Sequence, residues 1–152
     1  MPFDPYKPWF HGSPQQLLIL RAGSTITQNK ELARIFSHKP AIVTGDESNG
    51  HWKHTGPVTQ GFLYRIIGKI TERDIVPVPH SSLSPGTEWN TRTEFSLDLV
   101  SETVIVPEEL LTKHALLEMA RQDLVDQGTV NTILKNNSST SDRPIASFVQ
   151  AE

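Results

Sequence analysis

The sequence predicts an α+β fold. Short β-prone runs crowd its middle, the clearest being Phe62–Ile67, with Phe95–Val100 and Thr103–Val106 further on. Two stretches, 29–36 and 108–126, instead repeat apolar residues at helical spacing. Glycine and proline punctuate the intervals between them.

Residues 1–8 carry three prolines and read as an extended arm. Trp9 to Ser13 reads as a short strand that Pro14 ends. The apolar run Gln15–Arg21 is too short for its periodicity to separate strand from helical turn. Ala22-Gly23 makes a turn, and Ser24–Thr27 has β composition. Residues 29–36 form the first helix, with Thr27 or Asn29 as its cap and Leu32, Ile35 and Phe36 on one face. Lys39-Pro40 closes it, since proline disfavours helix in the residue before it. Ala41–Thr44 reads as a further strand, and the glycine-rich stretch Gly45–Gly61 as a long loop. After Phe62–Ile67, the run Asp74–Val78 carries Pro77, which places it at a sheet edge or strand end. Residues 80–87 form a loop, and 88–93, 95–100 and 103–106 are strand material. Pro107-Glu108-Glu109 is a helix start, with proline in the first turn and acids at the positive end of the dipole. The second helix is expected over 108–126, with Gly128 ending it.

A chain of 152 residues is read as one domain, here 1–135, followed by a flexible polar tail over 136–152. The formal charge of −3 argues against binding nucleic acid or anionic membrane by bulk electrostatics. Without cysteine the chain has no disulfide, thiolate metal site or thiol nucleophile. Its start lacks a basic and apolar leader, and no run approaches the roughly 20 apolar residues of a membrane span. A cytoplasmic protein that does not engage the membrane is expected. Export by a route that needs no leader would leave no trace in the sequence.

His11-Gly12-Ser13 is the leading chemical candidate. An imidazole offers one donor and one acceptor, and a glycine lets a ligand approach the backbone. The bland alternative is a turn with a capping histidine. His51 and His54 have an HxxH spacing that can ligate a metal, with Asp46 and Glu47 nearby. The bland reading there is a solvated loop, the functional alternative is a loop that flanks the pocket and contacts a substrate, and no metal is expected. Neither a G-x-S-x-G elbow, a Walker A loop nor a G-x-G-x-x-G turn occurs. Arg65, on an apolar strand, reads as a surface residue with a buried stem or as a phosphate contact.

The order of short motifs resembles the ADP-ribosyltransferase fold, and within it the small rifampin ADP-ribosyltransferases. His11-Gly12-Ser13 is followed by Ser24-Thr25-Ile26-Thr27-Gln28 running into the Glu31-Leu32-Ala33 helix. Then come Gly61-Phe62-Leu63-Tyr64-Arg65-Ile66, Glu72-Arg73-Asp74 and Trp89-Asn90-Thr91-Arg92. The resemblance spans residues 9–106 and implies a split, mainly antiparallel β core. It also implies an NAD-dependent transferase that moves ADP-ribose to an acceptor and releases nicotinamide. NAD would be a substrate, with no metal. The acceptor is left open between a small molecule, a protein and a nucleic acid. By the same resemblance His11 would bond the adenosine ribose, the Gly12 backbone would hold the nicotinamide carboxamide, and Ser13 would line the pocket. Thr25, Thr27 and Tyr64 would complete the cofactor site. Asp74 would stabilise the cationic sugar, with Glu94, and after it Glu88, as alternative acids. The family places a stacking aromatic, usually tyrosine, where this chain has Thr25, so Trp52 or Tyr64 would have to serve. A non-catalytic member of the same fold, binding a nucleotide-like ligand or a protein, is the alternative implication. A small α+β binding protein whose HGS is only a turn is the other.

Overall fold

The computed structural model describes residues 3–46, 51–79, 81 and 83–137. It is a mixed α+β protein whose strands pair mostly antiparallel. The described chain forms two compact units. One comprises residues 3–37 and 60–103, the other 38–59 and 104–137. Among the described residues no helix is long and apolar enough to cross a membrane.

In the first unit, β1 (Phe10–Ser13), β6 (Gln60–Ile67), β9 (Phe95–Val104) and the two-residue β2 (Ile19–Leu20) form a sheet in the order β1-β6-β9-β2. A second sheet runs β3 (Thr25–Ile26), β8 (Trp89–Thr91), β7 (Ile75–Pro77). Pro77 thus lies on an edge strand, where its missing N–H leaves no ladder partner unsatisfied. The short helix α1 (Lys30–Phe36) is capped by Asn29, whose side chain accepts from the Leu32 amide. Thr27 acts one step earlier, its hydroxyl accepting from the Asn29 amide. Leu32, Ala33 and Ile35 are buried. The core is built on Leu20, Ile26, Ile66, Ile70 and Ile75 with an aromatic cluster of Phe3, Trp9 and Trp89. Phe3 belongs to the stretch expected as an extended arm, yet it packs edge-to-face on both tryptophans.

In the second unit, β4 (Val43–Asp46) and β5 (His51–His54) form a hairpin inside the stretch expected as a loop. Its glycines and polar residues hide the alternation of buried Trp52 and His54 around exposed Lys53. The helix expected over 108–126 is three pieces. A 3-10 turn, Pro107–Glu109, is followed by Leu110 in extended backbone and by Leu111, whose amide donates to the His54 carbonyl. Thr112 then caps α2 (Lys113–Arg121), and Asp126 accepts from the Thr129 amide at the start of α3 (Gln127–Asn137). Gly128 therefore sits in a first helical turn instead of ending a helix, a place where it costs little. Leu111, Leu116, Ala120, Val130 and Ile133 form this unit's core. Residues 136 and 137, expected in the tail, belong to α3, and the rest of that stretch lies outside the described residues.

Candidate functional site

The site is built on the edge of β1. The Ile66 amide donates to the Trp9 carbonyl, which fixes the phase of the β1–β6 ladder. His11–Tyr64 and Ser13–Phe62 are then the hydrogen-bonded pairs, and Phe10 and Gly12 turn their backbone groups to the other edge. Phe10 uses both of its groups there on Thr27, at 2.7 and 3.0 Å. In an unbroken ladder the Gly12 amide would next reach the Thr25 carbonyl. Instead the His11 Nδ1–H donates to that carbonyl at 2.6 Å. The bridge between Phe10 and Thr27 is isolated, and the strands part beyond it. Gly12 thus presents an N–H and a C=O to the gap with no strand partner among the described residues.

His11 is half-buried. Burial pushes its pKa below the ordinary 6.5, more than the bond to Thr25 raises it. The ring is therefore neutral, with the proton on Nδ1 and a lone pair on Nε2. Gly12 is required sterically as well. A Cβ there would lie 1.8 Å from the Ala33 carbonyl oxygen and 2.7 Å from the Ser37 nitrogen, because the end of α1 rests on β1.

Comparison of this chain with known protein families, curated proteins and solved structures finds no match.

The other expected residues are placed as follows. The Thr25 hydroxyl donates to Asn90 Oδ1 across the β3–β8 pair at 3.1 Å. Asn90 thereby joins the site's surroundings, a role that only the strand register could disclose. Thr27 is buried and donates to the Thr87 carbonyl at 2.7 Å. Ser13 is buried and accepts from the Gln15 amide, closing the turn after β1. Tyr64 stands beside His11 on the same face of the sheet, buried, its hydroxyl accepting from the Leu17 amide at 2.8 Å. Asp74 precedes β7, so β8 and β3 intervene between it and β1. Its carboxylate accepts from both the amide and the hydroxyl of Thr71 and so fixes its own turn. Glu94 is exposed in the turn between β8 and β9. Arg65 is exposed and faces Asp98.

Among the described residues no group of three or more His, Cys, Asp or Glu side chains is placed to hold a metal ion. Residues 51 and 54 both lie on β5. His54 is fully buried, accepts from the Gly56 amide at Nδ1, and stacks on His38 at 5.7 Å within its own unit. Its Nε2 lies 3.6 Å from the Glu109 carboxylate.

Proposed function

We propose that the chain is an ADP-ribosyltransferase-like protein whose β1 edge binds NAD, and that it transfers ADP-ribose to an acceptor with loss of nicotinamide. The observation that carries this reading is the replacement of a ladder hydrogen bond by the His11 imidazole. A carboxamide has one donor and one acceptor, and an adjacent backbone C=O and N–H pair is its complement. Gly12 offers that pair, and the neutral Nε2 of His11 accepts from a ribose hydroxyl. Breaking the bond between the ribose carbon and nicotinamide nitrogen leaves positive charge on the sugar. A carboxylate stabilises that charge if it is fixed before the reaction. Asp74 is assigned this role, with Glu94 as the alternative. The acceptor is a small molecule, a protein or a nucleic acid.

A second reading, a non-catalytic member of the same fold that binds NAD or a similar nucleotide, has a specific observation in its favour. The Asp74 carboxylate is engaged by Thr71, and Thr25 bonds Asn90 where a stacking aromatic would stand.

The test is calorimetric titration with NAD alongside an assay for released nicotinamide. The transferase reading expects binding and release by the wild type, with both reduced at least tenfold in His11→Ala. Binding without release selects the second reading. A folded wild type that does not bind NAD excludes both.

A further inference from the structure

A crevice of about 500 Å³ opens between β7, β8 and the chain that joins them. That is within the usual range of small-molecule pockets, roughly 300–1,000 Å³. Pro77, Val78, Leu83, Pro85 and Trp89 supply apolar walls, and Glu88 is the charged group among its lining residues. No lysine or arginine lines it among the described residues.

The crevice is pre-formed by its own hydrogen bonds. Ser84-Pro85-Gly86-Thr87 is a turn closed by the Thr87 amide on the Ser84 carbonyl, with Gly86 at a φ of 83°. Proline followed by a glycine of positive φ is the arrangement of a type II turn. Trp89 Nε1–H donates to the Gly86 carbonyl at 3.3 Å, which holds the indole against that turn. The Thr87 carbonyl is held in turn by the buried Thr27 hydroxyl. Ser81 accepts from the Leu83 amide and donates to Glu88 Oε1. One oxygen of a half-buried carboxylate is thus fixed, and the second has no partner among the described residues.

We propose that this crevice is a second ligand site, for a small molecule with an apolar, ring-containing body and a protonated amine directed at Glu88. The apolar walls draw the body out of water. A carboxylate in a partly desolvated setting, with no lysine or arginine among the described lining residues, attracts an ammonium and repels an anion. The same electrostatics make the crevice unsuited to a pyrophosphate, so this site does not depend on the NAD reading of the β1 edge.

Three indole probes of similar size but different charge test this by NMR titration of the full chain. Tryptamine is cationic, tryptophol neutral and indole-3-acetate anionic. The Trp89 indole N–H and the Gly86 amide are the reporters. Tryptamine is expected to shift both saturably, with tryptophol about tenfold weaker and indole-3-acetate weaker still. Glu88→Gln keeps an acceptor for Ser81, so the fold should persist while tryptamine affinity falls to the tryptophol level. Leu83→Ala should weaken tryptamine and tryptophol by a similar factor. The proposal is overturned if tryptamine leaves these two resonances unmoved in folded protein. It is equally overturned if Glu88→Gln binds tryptamine as the wild type does, or if Leu83→Ala changes neither amine nor alcohol binding.

Discussion

His11 is a titratable ring used as a strand separator. Its Nδ1–H takes the carbonyl that a Gly12 amide would otherwise reach, and burial keeps the ring neutral. The sign of its effect on stability follows from the direction of its pKa. The fold binds the proton less readily than the unfolded chain, whose histidine titrates near 6.5. Stability from this residue is therefore present above that pH and is lost as pH falls through the lowered folded value. His11→Asn can still donate to Thr25 but cannot titrate. Urea unfolding at pH 7.5 and pH 5.5 should show a smaller acid loss in His11→Asn than in wild type. Equal losses would mean that the ring is not held neutral by the fold. At this scale the sequence was informative about residue type and poor on partners. His11 and Gly12 stand out as a tripeptide, but nothing local says that the imidazole bonds Thr25, fourteen positions on. Likewise, a carboxylate such as Asp74 looks available until the turn that it fixes is seen.

Between elements, the decisive contact of the site is the rest of α1 on β1. The Ala33 carbonyl and the Ser37 nitrogen occupy the space that any side chain at residue 12 would need. Both neighbours are backbone, so no rotamer change relieves the clash. Gly12→Ala should cost about 3 kcal/mol, the upper part of the range for overpacking. Gly23→Ala is the matched control. It has a positive φ of 89° but open space around its Cβ position, so its cost is the backbone conformation alone, about 1 kcal/mol. Chemical denaturation of the two variants should rank them in that order, and the reverse order would remove the proposed seat of the helix. The elements that were legible share one property: their signal is carried by their own residues. Asn29 caps α1 with a bond three residues away, and the apolar run of β6 declares itself. The elements that were not legible depend on distant partners. Leu110 and Leu111 have helical composition but pair with His54 outside any helix, and β5 is masked by the glycines that flank it in sequence.

Over the whole molecule, the two cores are assembled differently. The core of the second unit draws its buried residues from 111–133, within two neighbouring helices and the segment before them. The core of the first unit gathers residues from 3 to 89, so its contacts close long stretches of chain. Phe3 is the extreme case. Its ring meets Trp9 at 5.3 Å and Trp89 at 5.8 Å, both near perpendicular, and the two tryptophans meet each other at 6.4 Å. Edge-to-face pairs of this kind add about 0.5–1.5 kcal/mol beyond the burial of their area. Three prolines in the first eight residues conceal this role, because they describe the path of the arm and not its end point. Truncating the ring removes its buried area and two aromatic contacts from the core. Phe3→Ala should therefore lower unfolding free energy by about 3 kcal/mol, a large part of the roughly 5–15 kcal/mol that holds a typical domain folded. Near-UV circular dichroism should lose intensity in the tryptophan bands at the same time, since Trp9 and Trp89 lose their common neighbour. A Phe3→Ala protein within 0.5 kcal/mol of wild type, with unchanged tryptophan bands, would show that the arm contributes nothing to the core and that Trp9 and Trp89 are held by the sheets alone.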